Sequence, residues 1–143
     1  AYYRRWNALN YVQLEETNYV DLFLTSDAMI HDCGSFATEY LFLHKPVMYL
    51  VKEGMQVETQ FNPFGEQTFA QHYHGYSESD IEHFVQEVVL RGQDSMKAQR
   101  EHFYKEYLLP KDGLMPSEKI MQLIEEKIWK QNAEIFAILI SHL

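Results

Sequence analysis

At 143 residues, the chain has the length of one domain, and its 46% hydrophobic content is enough to build a buried core. The formal net charge of −9 argues against broad nucleic-acid binding, which requires a basic surface, so a nucleotide would have to be held locally by oriented N–H groups. A single cysteine, Cys33, excludes an internal disulfide and fits a reducing compartment.

The amino-terminal part of the chain predicts only short elements. Residues 11–14 are a candidate strand, and Asn18 is expected to cap a short helix over residues 19–24. The apolar side chains of that helix are expected to be buried: Val20, Phe23 and Leu24.

The central segment, residues 28–51, has the pattern of a strand, a turn, a helix and a second strand. A short apolar run leads into His31 and Asp32, and from Phe36 the apolar residues recur at helical spacing until Lys45-Pro46. Residues 47–51 form an unbroken apolar run, which is typical of a strand buried on both faces. This order predicts a right-handed βαβ unit, and hence an α/β fold with a Rossmann-like parallel sheet flanked by helices.

The turn of this unit carries the candidate chemistry. Gly34 lets a ligand approach the backbone, and Ser35 is a favoured helix N-cap. The first N–H groups of a helix have no partner within it, so they attract phosphate. Glu39 lies one helical turn further, where a carboxylate accepts hydrogen bonds from ribose hydroxyls. The plainer interpretation, that these three residues only turn, cap and face solvent, stays open on spacing alone.

Cys33 is interpreted as structural, and the histidines are not interpreted as metal ligands. A free cysteine often behaves as a small hydrophobe, and nothing in the sequence marks Cys33 as an activated nucleophile. No pair of histidines has helical i, i+4 spacing together with an evident third ligand, so no metal site is predicted.

The rest of the chain predicts helices, over residues 66–73, 80–90, 94–107 and from 117 onward. Ser79 is expected to cap the second of these helices and Gly92 to end it. Its buried stripe is predicted to contain Ile81, Phe84, Val85, Val88 and Val89. The last helix has apolar spacings that predict ordinary core packing, at Ile120, Leu123, Ile124 and Ile128. The apolar tail, residues 135–143, is expected to pair with another chain if it is left exposed.

Several short motifs resemble the nucleotide-binding half of glycosyltransferase-B (GT-B) enzymes, and more closely the CDP-glycerol glycerophosphotransferase family of teichoic-acid polymerases and their relatives. The match is carried by Tyr19-Val20-Asp21, Ser26-Asp27, Ile30-His31-Asp32, Ser35, Glu39-Tyr40 and Lys45-Pro46-Val47. Where the family usually has Asp-Tyr-Ser-Ser, this chain has Asp32-Cys33-Gly34-Ser35, so one hydroxyl contact to phosphate is missing while backbone contacts remain available. Asp112-Gly113 and Ser117 match a second family feature, and the resemblance extends from about residue 19 to residue 127.

The resemblance implies a reaction. Residues 1–143 would form a single donor-binding domain, the C-terminal half of a longer transferase, and the start at Ala1 without an initiating Met fits this expectation. The full enzyme would move glycerol phosphate from CDP-glycerol, or a related CDP-alcohol, onto a hydroxyl of a membrane-attached glycan or polymer and release CMP. The general base would be a histidine in the N-terminal half. This chain would therefore hold no catalytic residue and need no cofactor, and alone it would bind a nucleotide weakly.

The donor-binding residues implied by the resemblance are His31, Asp32, Gly34, Ser35, Phe36 and Glu39. Backbone N–H groups of the turn would hold the pyrophosphate, with the Ser35 hydroxyl assisting, and Glu39 would bind the ribose. Asp32 would brace the turn. For His31, a contact to phosphate and a buried structural role are equally open.

Two other functions remain open at this point: a glycosyltransferase domain that uses UDP or GDP sugars in the same pocket, and a nucleotide-binding scaffold without catalysis. The sequence contains no signal peptide and no long uncharged apolar run. The expected location is the cytoplasm. A peripheral position at the inner face of the membrane stays open, because the expected acceptor is attached to the membrane.

Overall fold

The computed structural model describes residues 2–15 and 18–141, with side chains described over residues 3–15 and 18–133. It contains two compact units, Ala1–Tyr104 and Lys105–Leu143. The first unit is built on a parallel sheet with strand order β1-β2-β3, in which β1 is Met29–His31, β2 is Val47–Leu50 and β3 is Tyr73–Gly75.

Helices precede, connect and follow these strands: α1 Tyr2–Asn7, α2 Val20–Thr25, α3 Phe36–Glu39, α4 Val57–Gln60, α5 Pro63–Phe69, α6 Glu78–His83, α7 Lys97–Phe103 and α8 Pro116–Ser141. Three of them continue with a different helical geometry, as a 3₁₀ helix over Tyr40–Leu43 and as π-helices over Phe84–Leu90 and Tyr104–Leu108. The predicted α/β fold, a parallel sheet flanked by helices with a long C-terminal helix, is therefore confirmed.

The central βαβ unit determines where the strand ends meet. Met29 pairs with Val47 and His31 pairs with Tyr49 in the parallel ladder between β1 and β2. Lys45 stabilises the return to β2, because its Nζ donates hydrogen bonds to three main-chain carbonyl oxygens in the last turn of α2 and just after it. These are the carbonyl oxygens of Phe23, Leu24 and Ser26, at 2.6–3.1 Å. The carboxyl ends of the parallel strands consequently lie along one edge of the sheet, the edge at which open α/β folds bind ligands.

Helix α6 and its π-helical continuation cover one face of the sheet, as the apolar spacing predicted. Phe84 and Val88 are buried with Met48 of β2. Partly buried hydrophobic residues surround this cluster: Ala28, Leu50, Tyr73, Ile81, Val85 and Val89. Full burial of a side chain such as Phe or Val contributes about 1.5–3 kcal/mol, so this stripe is a substantial part of the core.

The region between α5 and β3 differs from the prediction of one helix over residues 66–73. Helix α5 begins earlier, because Pro63 takes its first position and the Asn62 side chain accepts a hydrogen bond from the Gly65 N–H at 2.7 Å. It ends at Phe69, and Tyr73–Gly75 forms β3. A strand of three residues is too short to show a periodicity, so it could not be separated from the preceding helix by pattern.

The predicted cap of α6 is also wrong. Ser77, not Ser79, caps this helix, and its Oγ accepts a hydrogen bond from the Asp80 N–H at 3.3 Å. Asp80 in turn accepts hydrogen bonds from the Ser77 hydroxyl and the Tyr76 N–H, both at 2.9 Å. This reciprocal arrangement supplies hydrogen-bond acceptors for main-chain N–H groups at the start of the helix. Gly92 lies beyond the helical end with a φ of +69°, as expected for a terminating glycine.

The amino-terminal predictions are partly wrong. Residues 11–14 do not form a strand, and the regular structure before them is α1. Helix α2 is present within one residue of the predicted bounds, but Val20 and Leu24 are exposed and only Phe23 is partly buried. Asn18 contributes at its start, because its side chain accepts a hydrogen bond from the Val20 N–H at 3.2 Å.

The second unit contains α8. Lys119 and Asp112 form an ion pair of 2.5 Å, and Glu118 accepts a hydrogen bond from the Met115 N–H at 2.7 Å, so both contacts fix the start of the helix. The core packing predicted for this helix is wrong, because its apolar residues are exposed: Ile120, Leu123, Ile124 and Ile128. The side chains of the tail, residues 135–143, lie outside the described residues, so the expected self-association stays a prediction. The helices that the structure describes include none with the length and apolar character of a membrane span.

Candidate functional site

The residues predicted to hold a donor lie at the carboxyl edge of the sheet and on the helix that follows it. His31 ends β1, residues 32–35 form the turn, and Phe36 begins α3. Gly34 and Ser35 are exposed. The βαβ unit thus brings the predicted set together because all six residues lie within nine positions across one strand–helix junction.

Ser35 does not cap α3 as predicted. Its backbone is already helical, with φ −66° and ψ −39°, and its side chain makes no capping hydrogen bond. Its hydroxyl instead lies 3.1 Å from Cys33 Sγ. The Ser35 hydroxyl and, to a lesser degree, the Phe36 N–H lower the pKa of the Cys33 thiol. The thiol thus makes a polar contact within the turn, which the interpretation of Cys33 as a space-filling group did not include.

Gly34 leaves the backbone of the turn accessible. Its φ lies outside the left-handed region, and a Cβ placed on it would meet only the Phe61 ring, at an ordinary distance of 3.7 Å. The fold at this position would accommodate a side chain, which would then cover the turn. The glycine therefore keeps the main chain of the turn uncovered rather than relieving backbone strain.

Asp32 connects the turn to the end of β2 in two ways. Its main-chain carbonyl oxygen accepts a hydrogen bond from the Tyr49 hydroxyl at 3.1 Å, and its carboxylate lies 2.9 Å from Lys52 Nζ. The Lys52 ammonium lowers the pKa of Asp32, and the carboxylate raises the pKa of Lys52. Asp32 is thus an anchored, ionised carboxylate beside the turn.

His31 is buried beneath the turn. Its Nδ1 lies 3.3 Å from the backbone nitrogen and 3.0 Å from the carbonyl oxygen of Cys33, so this atom contacts the turn backbone in either tautomer. Burial lowers the pKa of His31, and its ring packs edge-on against Tyr49 and His72, with centroids 5.1 and 5.3 Å away. Of the two roles open for His31, this burial favours support of the turn.

Glu39 is exposed and contacts α2. The Tyr19 hydroxyl donates a hydrogen bond to Glu39 Oε2 at 2.9 Å, which raises the pKa of Tyr19. The Tyr19 ring also packs against Phe36 and Phe23, each with a centroid separation of 5.0 Å. Tyr19 therefore links the carboxylate predicted to bind ribose to Phe36, at the start of the helix.

A family model described as CDP-Glycerol:Poly(glycerophosphate) glycerophosphotransferase matches residues 3–126. The chain belongs to this family. No curated protein and no solved structure matches the chain. Because the match includes the sheet and the turn, the first unit is a glycerophosphotransferase-type domain, and the resemblance to the glycerophosphotransferase family inferred from short motifs is confirmed.

Within this glycerophosphotransferase-type domain, sequence reasoning missed the contacts that reach the candidate site from other elements. Lys52 and Tyr49 come from the end of β2, and Tyr19 comes from the start of α2. The position of Lys52, directly after a buried strand, is the signal that could have identified it. Over the described residues, no group of three or more His, Cys, Asp or Glu side chains converges as a metal site would require.

Proposed function

We propose that this chain is the donor-binding domain of a transferase that moves glycerol phosphate from CDP-glycerol to a hydroxyl of a membrane-attached glycan or polymer. Such a reaction would serve the synthesis of a teichoic acid-like or polysaccharide polymer of the cell surface. The observation that carries the proposal is the exposed, uncovered turn at Gly34 and Ser35, at the carboxyl edge of a parallel sheet and inside the region that matches the family.

The donor's pyrophosphate is proposed to lie over the turn, where the backbone N–H groups of Gly34, Ser35 and Phe36 and the Ser35 hydroxyl act as donors. Helix α3 has only four residues before it becomes a 3₁₀ helix, so its dipole contributes little. The directed N–H groups supply the attraction.

Glu39 is proposed to accept hydrogen bonds from the ribose hydroxyls. Its carboxylate is exposed, and the Tyr19 hydroxyl occupies only one position on one of its two oxygens. A carboxylate held at one oxygen by a neighbour retains acceptor capacity for a diol. The contact would orient the nucleoside relative to the turn and leave the glycerol phosphate pointing toward the acceptor.

In the proposed reaction, the acceptor oxygen forms a bond to the phosphorus of the glycerol phosphate, and the bond from that phosphorus to the bridging oxygen of CMP breaks. The acceptor's hydroxyl proton passes to a general base, proposed to lie in another domain of the full-length protein. CMP leaves with the additional negative charge, which the N–H groups of the turn would stabilise as it develops. The proposal includes no cofactor besides the donor and places the reaction on the cytoplasmic side of the membrane.

The test is calorimetric binding of CDP-glycerol, UDP-glucose and GDP-mannose to the full-length protein, followed by transfer assays. CDP-glycerol is expected to bind, and Ser35→Ala and Glu39→Ala are each expected to weaken it about fivefold, the effect of one lost hydrogen bond of about 1 kcal/mol. Glu126→Ala, at an exposed position of α8, is the control and should bind like the wild type.

Each alternative predicts a different result. Preferential binding of UDP-glucose or GDP-mannose would identify a nucleotide-sugar glycosyltransferase instead. Binding of CDP-glycerol without any transfer, with both Ser35→Ala and Glu39→Ala silent, would support a scaffold that retains only the fold.

A further inference from the structure

We propose that Lys52 binds the donor's pyrophosphate, and that it exchanges its ion pair with Asp32 for the phosphate oxygens when the donor arrives. The inference rests on the proposed function and adds to it a cationic residue that contacts the ligand. Its basis is the position of Lys52 at the end of β2, next to the strand whose end leads into the turn.

The sheet brings Lys52 to the turn. In the parallel pair, His31 of β1 lies opposite Tyr49 of β2, so the residues that follow each strand emerge at the same edge. Lys52 Nζ lies 2.9 Å from Asp32 Oδ2, and Asp32 is two residues before Gly34. A lysine side chain that reaches Asp32 can reach a phosphate group seated over the next residues with a small change of its rotamers.

The ion pair itself does little for stability. The Lys52 and Asp32 side chains are 75% and 52% exposed, and ion pairs with such exposure contribute little to stability. Breaking it on ligand binding therefore costs little. A diphosphate carries more negative charge than one carboxylate and offers several oxygen acceptors, so it competes well for the ammonium group.

The electrostatics of the chain also favour a local cation. The net charge of −9 repels a diphosphate in general, and Asp32 places a carboxylate immediately beside the turn. Lys45, the other lysine on this βαβ unit, is already bound to three main-chain carbonyl oxygens. Among the described residues, Lys52 pairs with one carboxylate and its side chain is exposed, so its charge is available to offset part of the ligand's negative charge.

The test compares cytidine, CMP and CDP-glycerol in calorimetric titrations of the full-length protein and its Lys52→Met variant. Because the lost contact is to phosphate, CDP-glycerol is expected to bind about tenfold more weakly to the variant while cytidine binds equally to both. The dependence of CDP-glycerol affinity on salt should become shallower. Lys52→Arg should retain most of the affinity, and Lys130→Met, exposed on α8, is the matched control.

The outcomes separate this inference from the proposed function. If the wild type binds CDP-glycerol but Lys52→Met binds it equally well, or loses the same factor for cytidine, Lys52 does not contact the pyrophosphate. If the wild type does not bind CDP-glycerol, the proposed function itself is wrong and the inference is wrong with it. Thermal unfolding of Lys52→Met should match the wild type, which shows that an affinity change does not come from misfolding.

Discussion

Replacing His72 with asparagine is expected to reduce the acid sensitivity of the fold. His72 is buried between α5 and β3, and its Nδ1 lies 2.8 Å from the carbonyl oxygen of Thr68. Burial lowers the pKa of His72 from 6.5 to about 3, so this imidazole stays neutral in the folded protein. The unfolded chain binds a proton there below about pH 6.5, and the folded chain does not. Stability from this site is therefore fully present above pH 6.5 and decreases as the pH falls toward 3.

The magnitude follows from the difference between the two pKa values. A change from 6.5 to about 3, at about 1.4 kcal/mol per pKa unit, corresponds to about 5 kcal/mol of stability lost by pH 3. Between about pH 7 and about pH 5, the same relation gives a loss of about 2 kcal/mol from His72 alone. The neighbouring His31, whose pKa burial also lowers, adds to the effect in the same direction and is present in both proteins.

The assay is denaturant unfolding of the wild type and His72→Asn at about pH 7 and about pH 5, with linear extrapolation of the free energy of unfolding. Asparagine can still donate a hydrogen bond to Thr68, and it does not titrate. The variant should be less stable at pH 7 because packing is lost. Between about pH 7 and about pH 5, however, its free energy of unfolding should decrease by about 2 kcal/mol less than that of the wild type. His83→Asn, at an exposed position, is the control. Equal pH dependence in the wild type and His72→Asn would refute the reasoning.

Two further substitutions test contacts in the first unit. Arg100→Met is expected to cost about 3–5 kcal/mol in denaturant unfolding, because it leaves the nearly buried carboxylate of Asp94 without its guanidinium partner. Adding Asp94→Asn should recover part of that loss, and a simple sum of the two single effects would contradict the pairing. Tyr19→Phe removes the hydroxyl bound to Glu39 but keeps the ring packing, so CDP-glycerol should bind about fivefold more weakly with little change in thermal unfolding. Unchanged affinity in Tyr19→Phe would show that Glu39 is not positioned by this hydrogen bond.

The elements that sequence could predict are those with a long or sharply bounded pattern. The run over residues 47–51, the change of period at Phe36 and the stop at Lys45-Pro46 each point to the same βαβ unit, and the structure contains it. Strand β3 has three residues and no alternation, so it depends on pairing with β2 rather than on its own sequence. Residues of α8 with helical apolar spacing are exposed, because periodicity identifies an amphipathic face but not what covers it.

The candidate site likewise has one part that the sequence could predict and another that it could not. The position of the turn follows from local sequence, since glycine and serine after a short apolar run are enough to locate it. The partners of the site do not follow from local sequence, because Lys52 and Tyr19 each lie 20 residues from the carboxylate that they contact, Asp32 and Glu39 respectively. The contact between Cys33 and Ser35 was missed for a different reason. Serine is a favoured capping residue by propensity, but the Ser35 backbone is already helical and its hydroxyl lies against the Cys33 thiol.

The shortness of α3 changes how an acidic chain of this family can hold a diphosphate. A long helix would add a sizeable dipole to its free N–H groups, whereas four α-helical residues followed by a 3₁₀ turn add little. In the proposed complex, the attraction must then come from groups within hydrogen-bonding reach, which are the backbone of the turn, the Ser35 hydroxyl and the Lys52 ammonium. Contacts of that range are directional, so they discriminate a diphosphate from a monophosphate by geometry. Binding through such contacts also weakens when one donor is removed. Titration of cytidine, CMP and CDP-glycerol into the wild type and the Lys52→Met variant therefore separates local contacts from a general electrostatic field.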